Sequence, residues 1–145
     1  MRGFDAIEQE LDRARLGAPR LLGLAEEVLE AWVAGRGEAP TVERREGFRL
    51  LALHHQGARG EPSFNACRET CREIAYHSNL LEATPPGEGT EALRRMMQML
   101  VRHLALFVGG KMQVAKLGEF CCASKPVREP PAEARAALTN GVRDA

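Results

Sequence analysis

Residues 64–81 read FNACRETCREIAYHSNLL, and this stretch decides the fold class. Phe64, Cys67, Cys71, Ile74, Ser78 and Leu81 are separated by 3, 4, 3, 4 and 3 residues. A 3.6-residue period gathers those positions on one face of an α-helix and turns Arg68, Glu69, Arg72 and Glu73 away from it. A strand, with its period of two, could not collect them. Ser63 stands just ahead of the seam as an N-cap, its hydroxyl able to accept from a first-turn amide.

The same period recurs on both sides. Upstream, Phe4, Ile7, Leu11 and Ala14 predict a first helix from about Phe4 to Arg15. Leu21, Leu24, Ala25, Val28 and Trp32 predict a second, opened by Pro19 and closed by Gly35-Arg36-Gly37. Pro40-Thr41 marks the start of a third, which reaches about Gln56 on Phe48, Leu50, Leu51 and Leu53. Downstream, Pro85-Pro86-Gly87 breaks the chain, and a fifth helix follows from about Thr90. One of its stripes is Leu93, Met97, Leu100, Leu104 and Val108; Met99, His103 and Leu106 populate a second.

Gly109-Gly110 predicts a break after that helix, with Lys111–Phe120 either helical or irregular and Pro131–Leu138 a short terminal helix. The expected architecture is an all-α, single-domain bundle of four to five helices with a partly irregular C-terminal segment. Residues 1–123 form the bundle and 124–145 a proline-containing tail.

Composition agrees with a helical core. The 145 residues are 44% apolar yet hold one Trp, one Tyr and five Phe, so the interior is built from Leu, Val, Ala and Met. Charge is balanced at 20 basic against 20 acidic side chains, which argues against a nucleic-acid binder, whose affinity comes from a net basic face. A helix-turn-helix across Gly57–Pro62 would also need an unusually long turn. Arg outnumbers Lys 17 to 3, the mark of a GC-rich coding sequence or of selection for bidentate anion contacts. No apolar leader follows Met1, and the longest apolar stretch, Met96–Val108, is interrupted by Gln98, Arg102 and His103, so no membrane partner is expected. A cytoplasmic protein with reduced cysteines is the expectation.

Three sets of residues could carry chemistry. Cys67 and Cys71 lie one helical turn apart, and Cys121-Cys122 are adjacent. Two such thiolate pairs, with His103 or His77 in reserve, could close a tetrahedral site for Zn or another transition metal such as Fe or Cu. Burial of the helical pair in an apolar seam is the preferred account of those two cysteines. His54-His55 near a helix C-terminus suit the dipole, and His77 follows Glu73 by four residues as a local pair.

Glu27-x-x-Glu30 and Glu43-x-x-Glu46 form the third set. They resemble the paired acidic motifs of all-α nucleoside triphosphate pyrophosphohydrolases, with Glu46 standing where that family has Asp. The resemblance implies carboxylates of facing helices holding Mg²⁺ against phosphates.

No glycine-rich phosphate loop, nucleophile elbow or zinc-protease motif occurs, and no catalytic residue is assigned. The leading expectation is therefore a non-enzymatic helical interaction or regulatory protein. It acts as a homodimer whose interface is the second stripe of Met99, His103 and Leu106, the competing expectation being that Met112–Phe120 folds back over that stripe. The thiol or metal site and the Mg²⁺-dependent hydrolase stand behind it.

Overall fold

A computed structural model of the chain describes residues 3–13, 15–59 and 67–115. Among these, five helices and no strand are present: α1 (Phe4–Arg13), α2 (Ala18–Gly35), α3 (Arg49–Ala58), α4 (Arg68–Ala83) and α5 (Glu88–Ala115). The all-α bundle expected from the 3–4 periodicity is the observed fold. No helix among the described residues is long and apolar enough to cross a membrane.

α2 and α5 form the spine. α5 packs along α4 and α2, α3 packs on α2, and α1 packs against α5. The predicted stripe of α2 is fully buried at Leu21, Leu24, Ala25, Val28 and Trp32, with Leu29 and Val33 beside it. α4 contributes Cys71 and Ile74, with Cys67 buried just ahead of its first residue. α5 contributes Met97, Val101, Leu104, Ala105, Val108 and Met112. Burying each Leu-sized side chain stabilises the fold by roughly 1.5–3 kcal/mol, which is what holds these amphipathic helices together.

Hydrogen bonds close α2 and tie α1 to α5. α2 closes in a Schellman motif: the Gly37 N–H donates to the Ala34 carbonyl at 2.9 Å and the Glu38 N–H to the Val33 carbonyl at 3.2 Å. Gly37 sits at φ +86°, a conformation in which a side chain is strained. α1 is tied to α5 by Gln98, whose Nε2 donates to the Leu11 carbonyl at 2.9 Å. Arg94, buried one turn before it, donates to the Leu16 carbonyl at 2.9 Å and to Gln98 Oε1 at 2.7 Å.

Two expectations are corrected. The third helix does not begin at Pro40-Thr41 but at Arg49; residues 38–48 form an irregular strap. The segment Pro40–Gly47 has only Val42 as an apolar residue, 84% exposed, so a helix there would have no face to bury. Its backbone finds partners elsewhere. The Thr41 N–H donates to Gln56 Oε1 at 2.9 Å, Arg49 Nε donates to the Thr41 carbonyl at 2.8 Å, and Gln56 Nε2 donates to the Ala39 carbonyl at 2.8 Å. The strap then reverses in a tight turn, Arg45 and Phe48 exchanging two backbone hydrogen bonds of 2.9 Å. Its central residues Glu46 and Gly47 both have positive φ, 53° and 85°, as a type I′ turn requires.

The second correction is at Gly109-Gly110. α5 runs through both glycines to Ala115. Gly109 is a packing position: a Cβ there would stand 2.8 Å from the Phe4 ring, so its absence lets α1 close on α5. That contact, with Met112 buried one turn later, offsets the roughly 1 kcal/mol helix penalty of each glycine. The Ser63 cap, Phe64, the tail 124–145 and its Pro131–Leu138 helix lie outside the described residues.

Candidate functional site

The inner and outer faces of α5 are both apolar. Opposite the buried row lie Ala92, Met96, Met99, His103, Leu106, Gly110 and Val114, every one exposed. Their spacings of 4, 3, 4, 3, 4 and 4 confine them to one side of the helix, a seam of heptad character about 33 Å long. Met99, Leu106 and Val114 are 62%, 66% and 63% exposed. Half-buried Leu100 and Phe107 join the seam to the core on one flank. Arg95 and Arg102 line the other, Arg102 held by Asp12 at 3.1 Å.

The structure thus leaves the predicted trio Met99, His103 and Leu106 on the surface and extends it by a turn or more at each end. Val114 was missed because no helix was assigned past Gly109-Gly110; Met96 lies inside the expected helix, three residues before Met99 and so on the same stripe. The 3–4 spacing that links them was present in the sequence throughout.

The cysteine set divides. Cys67 and Cys71 are free thiols, 3% and 0% exposed. Burial pushes the Cys67 thiol up to about 12, with Lys111 opposing weakly, and raises Cys71 further, the neighbouring Cys67 adding to the effect. Among the described residues no group of three or more His, Cys, Asp or Glu side chains is placed to hold a metal ion. Cys121 and Cys122 lie outside the described residues.

A thiol at about 12 is ionised to roughly one part in 10⁴ at about pH 8, and only the thiolate is alkylated. Cys67 and Cys71 are therefore expected to react with iodoacetamide at least about 100-fold more slowly in the folded protein than in urea. Mass mapping after brief labelling measures this; rapid labelling of either in the native state would overturn the burial.

His77 behaves as the local pairing implied. Its Nδ1 donates to the Glu73 carbonyl at 2.8 Å and lies 3.9 Å from the Glu73 carboxylate, with the ring edge-on to Tyr76. His103 is at the middle of the exposed α5 seam, remote in character from a buried ligand. His54 is buried near the end of α3, and His55 is exposed.

The acidic pairs do not face one another. Glu27 accepts from Arg20 at 3.2 Å, and Glu30 is paired with Arg49, which also lies 3.6 Å from Glu26. Desolvation raises the Glu26 carboxyl above its ordinary range despite Arg49. Glu43 and Glu46 sit on the strap rather than on a helix, and Glu46 pairs with Arg72 of α4 at 3.3 Å. Carboxylates projecting from two facing helices, the premise of the Mg²⁺ reading, are not found at these positions.

Two clefts flank the strap. One, of about 610 Å³, runs between the start of α2, the turn at Gly47-Phe48 and the end of α4. The other, of about 290 Å³, lies between that turn, α3 and the first turns of α4, and Arg45, Arg68 and Arg72 line it. Sequence periodicity carries no signal for either, since each is assembled from segments distant along the chain. Comparison of the chain with family models, curated proteins and solved structures finds no match.

Proposed function

We propose that this protein is a non-enzymatic helical interaction module that works as a homodimer through the outer face of α5. The observation that carries the reading is the exposed seam from Ala92 to Val114. A contiguous apolar stripe of this length is costly to leave in water and is uncommon on soluble monomers.

The occupant is a second copy because the seam is complementary to itself. An antiparallel pairing with its twofold axis at the level of Val101 sets Met96 against Leu106, Met99 against His103, and small Ala92 against small Gly110 of the second copy. Bulky residues then meet bulky ones at the centre, and the glycine and alanine let the helix ends approach. The two Arg102 side chains fall near the axis, and each brings its own Asp12, so that rim is charge-compensated. Met112 belongs to the buried inner row of an unbroken α5, so Met112–Ala115 lengthen the seam instead of folding back over it. The reading sets the module in the cytoplasm, where buried thiols such as Cys67 and Cys71 stay reduced.

Light scattering coupled to size exclusion should give twice the 15.9 kDa chain mass at tens of micromolar. Leu106→Glu sets a carboxylate against Met96 of the second copy and should weaken the dimer by about 100-fold or more. Its circular dichroism should match the parent, because Leu106 is 66% exposed and touches no core. A parent that is monomeric at those concentrations would defeat the proposal and leave the seam to be covered by the chain's own C-terminal residues.

A further inference from the structure

We infer that the cleft between the strap, α3 and α4 is a binding site for a small polyphosphate, a ligand presenting at least two adjacent phosphoryl oxyanions. Three arginines from two separate segments converge there: Arg45 from the turn, and Arg68 and Arg72 from successive turns of α4. His54 and His55 of α3 complete the wall. The carboxylate that lines the cleft is Glu46, bonded to Arg72 at 3.3 Å. Among the described residues neither Arg45 nor Arg68 has an acidic partner.

Concentrating like charge in one cleft without compensation raises the energy of the empty protein, and an anion relieves it. Elsewhere Arg20 is compensated by Glu10 and Glu27, Arg49 by Glu26 and Glu30, Arg94 by Glu91 and Arg102 by Asp12, whereas Arg13, Arg44, Arg59 and Arg95 form no ion pair with an acid among the described residues. In the cleft two such arginines, Arg45 and Arg68, share one wall with Arg72.

Guanidinium groups set the ligand class. Their planar fork binds two oxygens of a phosphoryl group at once, and two unpaired forks favour a second phosphoryl group beside the first. The volume of about 290 Å³ is at the lower end for small-molecule sites, enough for a diphosphate head with the rest of the ligand in solvent. Arg68 also opens α4, whose first amides point toward the same end and add a favourable dipole.

The turn supplies the positioning. Among the described residues Glu46 is the non-glycine residue at positive φ; its carboxylate bonds Arg72, while Arg45 is fixed by the paired backbone bonds to Phe48. Glu46 thereby acts as an internal competitor: its carboxylate occupies one of the three forks an incoming phosphoryl group would use. Among the described residues none of α5 lines the cleft, so the site stands or falls independently of the dimer.

Calorimetric titration of the full chain with inorganic pyrophosphate, and separately with inorganic phosphate and sulfate, tests the proposal. Pyrophosphate should bind saturably at one site per chain and at least about tenfold more tightly than either mononuclear anion. Arg68→Gln and Arg45→Gln, at exposed positions, should each weaken it by about tenfold or more. Glu46→Gln should tighten it severalfold by removing the competitor. Arg95→Gln, on the outer flank of α5, should leave binding unchanged. Absence of saturable binding, equal affinity for all three anions, or an equal loss from Arg95→Gln would overturn the site.

Discussion

Cys71→Asp is expected to cost about 5 kcal/mol or more and to leave the chain largely unfolded at room temperature. Cys71 is 0% exposed, and its own thiol is already pushed upward by burial, so the surroundings resist any negative charge. Among the described residues no cation acts on it, and a carboxylate placed there would either remain charged without a partner or take up a proton. Both routes draw on a total stability that for a domain of this size is only about 5–15 kcal/mol. Urea unfolding followed by circular dichroism measures the loss. Cys71→Ala, which removes one sulfur and introduces no charge, should cost only about 1–2 kcal/mol. A Cys71→Asp protein as stable as the parent would mean that this face of α4 does not meet the core.

Trp32→Ala should lose about 3–5 kcal/mol. Trp32 is the largest fully buried side chain, and its Nε1 donates to the Gly57 carbonyl at 3.0 Å, fastening α2 to the end of α3. That carbonyl also accepts from Arg36 Nη1 at 2.7 Å, so it keeps a partner when the indole is removed. The cavity therefore dominates the cost and the lost hydrogen bond is the smaller part. Trp32→Phe restores most of the apolar volume and should cost only about 1–2 kcal/mol in the same urea experiment. If Phe and Ala proved equally damaging, the hydrogen bond rather than the packing would be the principal tie between these helices.

How much was legible beforehand follows the range of each signal. α1, α2 and α4 could be read because their apolar residues repeat every three or four positions, and that repeat is written locally. The strap was misread because Pro40-Thr41 imitates a helix start. Its real partners, Arg49 and Gln56, act through side chains that no local pattern announces. Gly109 was misread for a related reason. Glycine is a poor helix former in isolation, and here the deciding neighbour is Phe4, more than a hundred positions earlier.

The candidate sites divide in the same way. Helical periodicity by itself determined that α5 has two apolar faces, because the relation between positions three and four apart is set by backbone geometry. Which residues complete the buried row, how far the outer face extends, and that Arg45, Arg68 and Arg72 share a cleft were decided only by the tertiary structure. Periodicity records the direction of a side chain from its own helix axis. Burial and convergence depend on which other helix arrives there, and that is settled by the packing of the whole core at once.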